Sequence, residues 1–344
     1  MTYVVENLEK LLNIASPSGD TKNAIDFVRL EFEKLGLETR ITKKGALIGT
    51  MRGKDDTKQK TLSAHVDTLG GMVKEIKSNG RLKMTQIGGY AWNSVEGEYV
   101  QVSTADGKLV DGTILLNKTS VHVYGAEART TDRDEKNMEI RLDEEVENEE
   151  QVKALGIEVG DFIYLNPRTV VTESGFVKSR HLDDKACVAT ILGMIESIKE
   201  KKAELPYTVN FYISNYEEVG HGAAAGIPEN TMEFVAIDMA APGTGQTSKE
   251  QAVTICAKDS SGPYDLELKR KLVGLAKNEN IDYKIDIYPS YGSDASAAMR
   301  AGWEFKHGLI GPGVDASHAF ERTHKKGLEA TIRLGIAYIL DKDL

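Results

Sequence analysis

The chain has 344 residues, of which 40% are hydrophobic and 28% are charged, and its formal net charge is −10. This length predicts about two domains, and the composition predicts a soluble globular protein with a large buried core. The acidic balance, without any basic cluster, excludes nucleic acid as a partner.

No segment has the features of a targeting peptide or a membrane span. Glu6 and Glu9 lie where a signal peptide needs a basic start and an unbroken apolar stretch. No apolar run is long enough to cross a bilayer. Cys187 and Cys256 give neither a zinc-binding spacing nor a disulfide framework, and both are predicted to be buried. We therefore expect a cytoplasmic protein without membrane partners.

The N-terminal part of the chain predicts two helices followed by short strands. Leu8, Leu11 and Leu12 share one face of the first helix. A second amphipathic helix follows the turn SPSGD at 16–20. Three short strands are predicted next, around residues 38–42, 47–51 and 61–65.

A different pattern occupies residues 73–166. Helical periodicity largely disappears, and hairpin signals appear, SNG at 78–80 and ADG at 105–107. A further strand pair is predicted over 156–166. The acidic stretch at 144–150 predicts a solvated segment or the start of a helix. We interpret 73–166 as an inserted all-β domain.

Helices and strands alternate again after residue 180. This alternation predicts a mostly parallel sheet flanked by helices on both faces, an α/β fold. Residues 1–72 and 167–344 are therefore predicted to form one domain around the insertion. In the second half of this domain, helices are predicted at 185–199, 264–278, 294–299 and 328–340, and a further helix is predicted to begin at about residue 221. Strands are predicted there at 207–214, 234–238 and 283–287.

The segment SNYEEVGHG carries two adjacent carboxylates, Glu217 and Glu218, directly after the strand predicted over 207–213. One carboxylate of such a pair can bind a metal ion, and the other can move a proton beside it. The alternative is a solvated loop. Such a loop rarely begins directly after a buried strand and runs into a glycine, here Gly220.

Other residues that can bind metals follow other strand-like runs. Side chains at the carboxyl ends of parallel strands converge at one edge of a sheet. Two histidines and several carboxylates suit zinc or cobalt, and carboxylates can bridge two ions. A ligand set of nitrogen and oxygen without cysteine favours a catalytic site with an open position. The residues are His65, Asp67, Asp183, Asp238 and His318.

Each of these residues alone also has a structural explanation. A single histidine at a strand end is more often a hydrogen-bonded structural residue. Asp183 and Asp184, just before a predicted helix, could cap it and interact with its dipole. Asp238 could be a turn residue. What favours a metal site is that all of them occur in one α/β frame.

These motifs resemble those of the glutamyl aminopeptidases and deblocking aminopeptidases. This family of dinuclear-metal peptidases includes tetrahedral members and was formerly labelled cellulase-like. The resemblance covers essentially the whole chain, the inserted domain included. The matching residues are His65 and Asp67 in AHVD, Asp183 in LDDK, Glu217 and Glu218 in EEVG, Asp238 in IDMA, residues 292–295 in GSDA and His318 in SHAFERTH.

The resemblance implies a zinc-exopeptidase-like catalytic domain that holds two divalent metal ions. His65 is expected to bind one ion, with either Glu218 or Asp238 completing its shell. His318 is expected to bind the other ion, and Asp183 to bridge the two. Zinc or cobalt is the expected metal, with manganese as a further candidate.

The resemblance also implies two catalytic roles. Glu217 is expected to be the general base, and Asp67 to orient the metal-bound imidazole. Asp184 lies where the family is less consistent and is left out of the ligand set. Thr68 replaces a frequent glutamate and Lys185 a frequent arginine of the family. Neither departure touches an expected ligand, but both leave the substrate preference open.

The implied function is that of an aminopeptidase that removes N-terminal residues from peptides. Water activated by two metal ions attacks the scissile carbonyl, and Glu217 passes the proton to the leaving amine. The resemblance further implies that the inserted domain forms dimers, which in some members assemble into a hollow tetrahedral dodecamer.

Three other functions are weighed against this one. A carboxypeptidase or an N-acyl-amino-acid deacylase would use nearly the same metal ligands, but its extra domain usually follows the glutamate pair, whereas here it lies between His65 and Asp183. A glycosidase needs two carboxyls about 5–10 Å apart and no histidines. A binding protein without activity would not need every ligand to be present.

Overall fold

The structure is a computed structural model that describes residues 1–344 and divides into two compact units, 1–67 with 168–344 and 68–167. None of its helices combines the length and the apolar character that a bilayer span requires. The helices are α1 (Thr2–Leu12), α2 (Lys22–Lys34), α3 (Val121–Tyr124), α4 (Glu127–Thr130), α5 (Glu149–Ala154), α6 (Leu182–Glu200), α7 (Leu266–Asn278), α8 (Asp294–Arg300) and α9 (Lys325–Leu340).

The strands complete the chain order. They are β1 (Glu38–Ile41), β2 (Leu47–Met51), β3 (Asp55–His65), β4 (Gly70–Ile76), β5 (Leu82–Ile87), β6 (Tyr99–Ser103), β7 (Leu109–Leu116), β8 (Met138–Leu142), β9 (Phe162–Leu165), β10 (Val170–Val171), β11 (Phe176–Ser179), β12 (Tyr207–Ser214), β13 (Thr231–Ile237), β14 (Val253–Asp259), β15 (Gly262–Pro263), β16 (Tyr283–Ile287), β17 (Lys306–Pro312) and β18 (Glu321–His324).

The larger unit is built on a nine-stranded sheet in the order β1-β2-β12-β3-β13-β17-β14-β15, with β16 paired to β14. The central strands β12, β3, β13 and β17 run parallel, and antiparallel pairs flank them on both sides. Ser214 lies beside His65 in the register, and Ile237 lies beside Ile310. The carboxyl ends of the central strands therefore meet at one edge, as the sequence predicts.

Alternate residues of the central strands face opposite sides of this sheet. Phe211 and Ile213 belong to a large core shared with α1, α2, α6, α7 and α9. Tyr212 and Ala236 belong to a smaller core that includes Ala295 of α8. Because both faces are covered, β12 and β13 are largely apolar, and the sequence signals them as apolar runs.

Most predicted elements of this unit are present, with shifts of a few residues at their ends. The helix predicted from His221 is instead a short 3₁₀ turn, Gly222–Ala224. β14 and β17 are not predicted by the sequence. Glycine weakens the strand signal of β17, and it is needed at Gly311, where a Cβ would lie 1.7 Å from the carbonyl oxygen of Asp238.

A second, three-stranded sheet in the order β10-β11-β18 lies in the same unit. β18 pairs antiparallel with β11, and Glu321 lies beside Ser179 in the register. This pairing ties the chain that leads into Asp183 to the chain that follows His318. Two predicted metal ligands that are far apart in the sequence are thereby brought to one place.

The smaller unit, residues 68–167, is a closed antiparallel barrel in the order β4-β5-β8-β7-β6-β9. Aliphatic side chains such as Val102, Ile114 and Ile163 fill its core. Three short helices, α3, α4 and α5, accompany the strands. α5 begins in the acidic stretch, where the Asn148 side chain accepts a hydrogen bond from the backbone N–H of Gln151.

Candidate active site

His65 is the last residue of β3 and lies at the carboxyl edge of the central sheet. Its Nδ1 lies 2.9 Å from the main-chain carbonyl oxygen of Asp67 and 3.5 Å from a carboxylate oxygen of the same residue. The closest orienting contact therefore comes from the Asp67 backbone, whereas the sequence predicts it from the Asp67 carboxylate. That contact leaves Nε2 of His65 directed at the other predicted ligands.

The Asp67 carboxylate instead holds the segment that carries the paired glutamates. It accepts hydrogen bonds from the backbone N–H groups of Glu217, at 3.0 Å, and Glu218, at 3.1 Å. The Ser18 hydroxyl donates to the same carboxylate. Asp67 is completely buried, so these hydrogen bonds offset the cost of removing its charge from water.

Asp183 lies between the two predicted histidine ligands. Its Oδ1 is 3.3 Å from Nε2 of His65, and its Oδ2 is 3.3 Å from Nε2 of His318. Ser317 also donates a hydrogen bond to Oδ2, at 3.1 Å. Burial alone would raise the pKa of Asp183, but the two histidines hold it well below its usual range.

The glutamates begin a short 3₁₀ turn, Glu217–Val219, that follows β12. Glu218 Oε2 lies 3.4 Å from Nε2 of His318, whereas Glu217 Oε2 lies 3.8 Å from Nε2 of His65. Burial raises the pKa of both carboxyls well above the usual range. Neighbouring carboxylates act in the same direction, and the histidines oppose them.

Asp238 follows β13 and completes the predicted set at this edge. Burial, assisted by the charge of Asp183, raises the pKa of Asp238 to about 7. Asp184, which the sequence leaves out, is also close: ligand atoms of His65, Asp184 and Asp238 lie within 4.8 Å of one another. Burial and the charge of Asp238 raise the pKa of Asp184 well above its usual range.

The surroundings of His65 favour its charged form, whereas those of the carboxyls favour their neutral form. Burial lowers its pKa, but the surrounding carboxylates Asp183, Asp184 and Asp67 outweigh that effect and raise it well above the usual range. Without an added cation, this histidine therefore serves as a counter-charge. A metal ion would take over that role and would require the neutral imidazole.

Two further carboxylates at the site are not predicted by the sequence. Glu321 is buried and accepts hydrogen bonds from the backbone N–H groups of Asp183, at 3.1 Å, and His318, at 3.0 Å. Asp294 is buried and accepts one from the backbone N–H of Ala223, at 2.9 Å. Glu321 lies three residues after His318 in SHAFERTH, and Asp294 lies in GSDA, so both are in segments that the sequence singles out.

A cavity of about 680 Å³ opens over these groups. One side of it is carboxylate-rich, with Asp183, Glu217, Glu218 and Asp238, and the cationic Arg300 also lines it. The rest of the wall is mixed. It includes Met239, Ala241, Pro242, Thr244, Gln246, Tyr288, Pro289, Ser290, Tyr291, Ser293, Ala297, Ser317 and His318.

The cluster has the properties of a metal site. Ligand atoms of His65, Asp183 and Glu218 lie within 4.8 Å of one another. The buried atoms that make no hydrogen bond include Nε2 of His65, Oδ1 of Asp184 and Oε1 of Glu218. Buried polar atoms normally have partners, so these are available as ligands. The donors are imidazole nitrogens and carboxylate oxygens, which fit zinc, cobalt or manganese.

Comparison with known proteins points to one family. The sequence profile of the M42 glutamyl aminopeptidases matches residues 45–334. The chain is 52% identical to the "Putative aminopeptidase YhfE" of Bacillus subtilis over 335 residues, which cover 97% of this chain and 96% of that protein.

Solved structures show the same fold. The TET aminopeptidase of a marine sediment Thaumarchaeota archaeon superposes with a TM-score of 0.89 at 22% identity, covering 99% of this chain and 98% of that one. The TET1 peptidase of Pyrococcus horikoshii, described as assembling into a tetrahedron or an octahedral shell, gives a TM-score of 0.85 at 24% identity. That match covers 98% of this chain and 99% of TET1.

Proposed function

The chain belongs to the M42 glutamyl aminopeptidase family of metal-dependent peptidases, and on that premise we propose that it hydrolyses N-terminal residues from peptides at a site for two divalent cations. One observation carries this proposal. The two oxygens of the buried Asp183 face different histidines, His65 and His318, each at 3.3 Å. A carboxylate in this position is suited to bridge two ions.

The distances support a division of the remaining ligands. Glu218 approaches His318 to 3.4 Å, so these two residues would share one ion with Asp183. Glu218 and Asp238 each lie within 4.8 Å of His65, but Glu218 also approaches His318, so Asp238 would complete the shell of the other ion. The sequence leaves either Glu218 or Asp238 to complete the metal shell of His65, and this geometry favours Asp238. Zinc, cobalt or manganese would suit this set of nitrogen and oxygen ligands.

When bound, the divalent cations would polarise the scissile carbonyl and lower the pKa of a water molecule. The chain itself supplies the proton transfers. Glu217 lines the cavity beside His65, and we assign to it the role of general base and then of acid toward the leaving amine. Asp67 fixes the backbone of this turn, through the N–H groups of Glu217 and Glu218.

The carboxylates of the cavity suit a peptide amino terminus as well as metal ions. Four carboxylates, Asp183, Glu217, Glu218 and Asp238, lie on one side of it. A peptide amino terminus is a cation and is attracted to such a surface. Two bound divalent cations would offset much of this negative charge, so the choice between an aminopeptidase and a carboxypeptidase is made by the substrate test.

The test compares substrates with free and blocked amino termini. Aminoacyl-p-nitroanilides should be hydrolysed, and their N-acetylated forms should not. A chelator should abolish this activity, and zinc, cobalt or manganese should restore it. Release of C-terminal residues, or deacylation of N-acetyl amino acids at a comparable rate, would contradict the proposal in favour of a related metallohydrolase.

We also propose that the chain forms dimers through the barrel unit and that dimers build a larger closed assembly. The barrel exposes large apolar side chains, among them Tyr99 (65%), Val123 (73%) and Val159 (66%), which favour contact with another protein surface. The assembly named for the Pyrococcus horikoshii TET1 peptidase supports the same expectation. Mass photometry of the purified protein should show dimers or larger species, and a monomer alone would refute it.

A further inference from the structure

The segment that carries the two glutamates, residues 215–222, is held at both of its ends by one short turn, residues 42–46. This turn connects β1 to β2, and no motif in the sequence marks it. It is tight, since the backbone N–H of Gly45 donates to the carbonyl of Thr42 and the N–H of Thr42 donates to the carbonyl of Ala46. Residues 215–222 are called the glutamate segment below, and residues 42–46 the Lys44 turn.

The first anchor lies just before the glutamates. The Asn215 side-chain amide donates a hydrogen bond of 2.9 Å to the carbonyl oxygen of Lys44. Gly45 makes this approach possible, because it has a φ of +97° and a Cβ there would lie 2.9 Å from Nδ2 of Asn215. Glycine adopts this backbone conformation without the strain of other residues.

The second anchor lies just after the glutamates. Nζ of Lys44 donates hydrogen bonds to the carbonyl oxygens of His221, at 2.5 Å, and Gly222. The same ammonium lies 5.7 Å from the ring centre of Tyr216, and this ring stacks on the His221 imidazole at 5.0 Å. Lys44 thus contacts the glutamate segment on both sides of the paired glutamates.

The charges of two carboxylates that support this segment also act on the ammonium. Burial lowers the pKa of Lys44, and the charges of Asp294 and Asp67 oppose that shift. These two carboxylates hold backbone N–H groups of Glu217, Glu218 and Ala223. Lys44 therefore fixes carbonyl groups of the segment, Asp67 fixes two of its N–H groups, and Asp294 fixes the N–H of Ala223, the residue that follows the segment.

We propose that Lys44 is a positioning residue for the reaction, which holds Glu217 in place through the glutamate segment. This inference rests on the proposed role of Glu217 as the base. Lys44 does not line the cavity, so its effect on catalysis must pass through the backbone of residues 215–222. Small displacements of a catalytic group cost up to about a hundredfold in rate, which sets the size of the expected effect.

The test begins with three single variants. Lys44→Met keeps the unbranched, flexible side chain without its terminal ammonium, and kcat should fall about 10- to 100-fold with KM within about threefold. Lys44→Arg keeps a cation that reaches both carbonyls and should restore kcat to within about threefold. Lys43→Met, at the exposed neighbouring position, should match wild type. Metal content per chain and Tm are measured on all of them.

The decisive step combines Lys44→Met with Glu217→Gln. Because Lys44 acts through Glu217, the double variant should be no slower than Glu217→Gln alone. A full second loss in the double variant at saturating metal, or a kcat of Lys44→Met equal to wild type, would overturn the inference; metal is kept saturating because the segment also carries the expected ligand Glu218. If Lys44→Met does not fold, Lys44→Gln replaces it, since a glutamine is too short to reach both carbonyls.

The same data separate this inference from the proposed function. If Glu217→Gln alone keeps turnover within a few-fold of wild type, the role of Glu217 is wrong, whatever Lys44 does. If Glu217→Gln is nearly inactive and Lys44→Met is fully active, the role of Glu217 stands and only the role of Lys44 is wrong.

Discussion

The two ends of the central sheet bury charges in different ways. At the amino end, Lys60 is completely buried and donates hydrogen bonds of 2.8 Å to the carbonyl oxygens of Tyr338 and Asp341. Glu233, buried on the neighbouring strand β13, pairs with Lys271 at 2.6 Å. Both charges at this end have partners within the chain, and the oxygen that makes no hydrogen bond, Oε2 of Glu233, belongs to a carboxylate already paired with Lys271.

At the carboxyl end, carboxylates outnumber the cations available to them. Burial raises the pKa of most of them, and buried ligand atoms such as Nε2 of His65 and Oε1 of Glu218 make no hydrogen bond. A buried charge without a partner is costly, so we infer that cations from outside the chain bind at this end. We therefore interpret the buried charges at the amino end as structural and those at the carboxyl end as functional. The carboxylates are Asp67, Asp183, Asp184, Glu217, Glu218, Asp238, Asp294 and Glu321.

The largest expected effect follows from removing the proposed base. Glu217→Gln should lower kcat by about 100- to 10,000-fold, because general acid–base help is lost. Metal content per chain should stay at the wild-type value, because Glu217 is not among the expected ligands. Steady-state hydrolysis of an aminoacyl-p-nitroanilide and elemental analysis measure both quantities.

Glu217→Gln also tests whether the carboxyl end of the sheet carries more negative charge than the chain itself compensates. Since burial raises the pKa of Glu217, a neutral glutamine should raise the Tm of the metal-free protein at pH 8. A Glu217→Gln protein with wild-type turnover, or one that has lost its metal, would contradict the assignment.

The second effect is the pH dependence of stability without metal. A carboxyl whose pKa is raised by folding keeps its proton in the folded chain where the unfolded chain has lost it. Asp238, with a pKa of about 7, and Glu321, with a pKa of about 8, should therefore lower the free energy of unfolding as the pH rises from 5 to 8. His65, whose pKa is also raised, acts in the same direction.

Chelator-treated protein, unfolded with urea at several pH values, measures this trend. Each unit of pKa shift is worth about 1.4 kcal/mol, so the loss should reach a few kcal/mol. Divalent cations at a hundred times their Kd should return about 2.7 kcal/mol at pH 8. Metal-free protein that is more stable at pH 8 than at pH 5 would show that the chain itself compensates the charges of the carboxylates at this site.

The third effect concerns Glu321, whose carboxylate accepts hydrogen bonds from the backbone of two expected ligands. Glu321→Gln places an amide N–H₂ against a backbone N–H of Asp183 or His318, where the carboxylate accepts both. The affinity for metal should fall about 10- to 100-fold, as is common for residues that orient ligands. At saturating metal, kcat should stay close to wild type.

Titration of chelator-treated protein with zinc measures this affinity. Glu329→Gln, at an exposed position in α9, is the matched control and should bind metal like wild type. Equal affinities in Glu321→Gln and Glu329→Gln would mean that Glu321 has no part in holding the ligands.

The smallest effect on activity is expected at the amino end. Lys60→Met leaves the carbonyl oxygens of Tyr338 and Asp341 without their donor and should lower the free energy of unfolding by about 1–3 kcal/mol. With metal bound, kcat/KM should remain within about twofold of wild type. The exposed Lys58→Met serves as the control. A large loss of activity in folded Lys60→Met would remove the distinction between the two ends.

The sequence predicts the frame of the larger unit because its signals are local. The strand at 207–214 is a buried apolar run, and the helix at 264–278 has an apolar face, so each is visible in a short window. β14 is not predicted, and neither is β17, whose Gly311 serves a close approach to the distant backbone of Asp238. The turn after Gly220 is predicted as a helix, because its geometry depends on the distant Asp294.

The candidate site is predicted as a set of residue types but not as a set of contacts. His65, Asp183, Glu218, Asp238 and His318 are selected because they follow strand-like runs or match family motifs. Asp67 holds the backbone of the glutamates, a role that its spacing from His65 does not indicate. Glu321 and Lys44 act through backbone groups far away in the sequence, and no local pattern reports such contacts.

The central claim is that the carboxyl end of the sheet holds two divalent cations and that Asp183 contacts both. Anomalous diffraction at the zinc edge, from crystals of zinc-loaded protein, tests this claim most directly. We predict two peaks, each about 2.0–2.2 Å from a different oxygen of Asp183, one beside His65 and the other beside His318. A single peak, or two peaks of which one makes no contact with Asp183, would contradict the account.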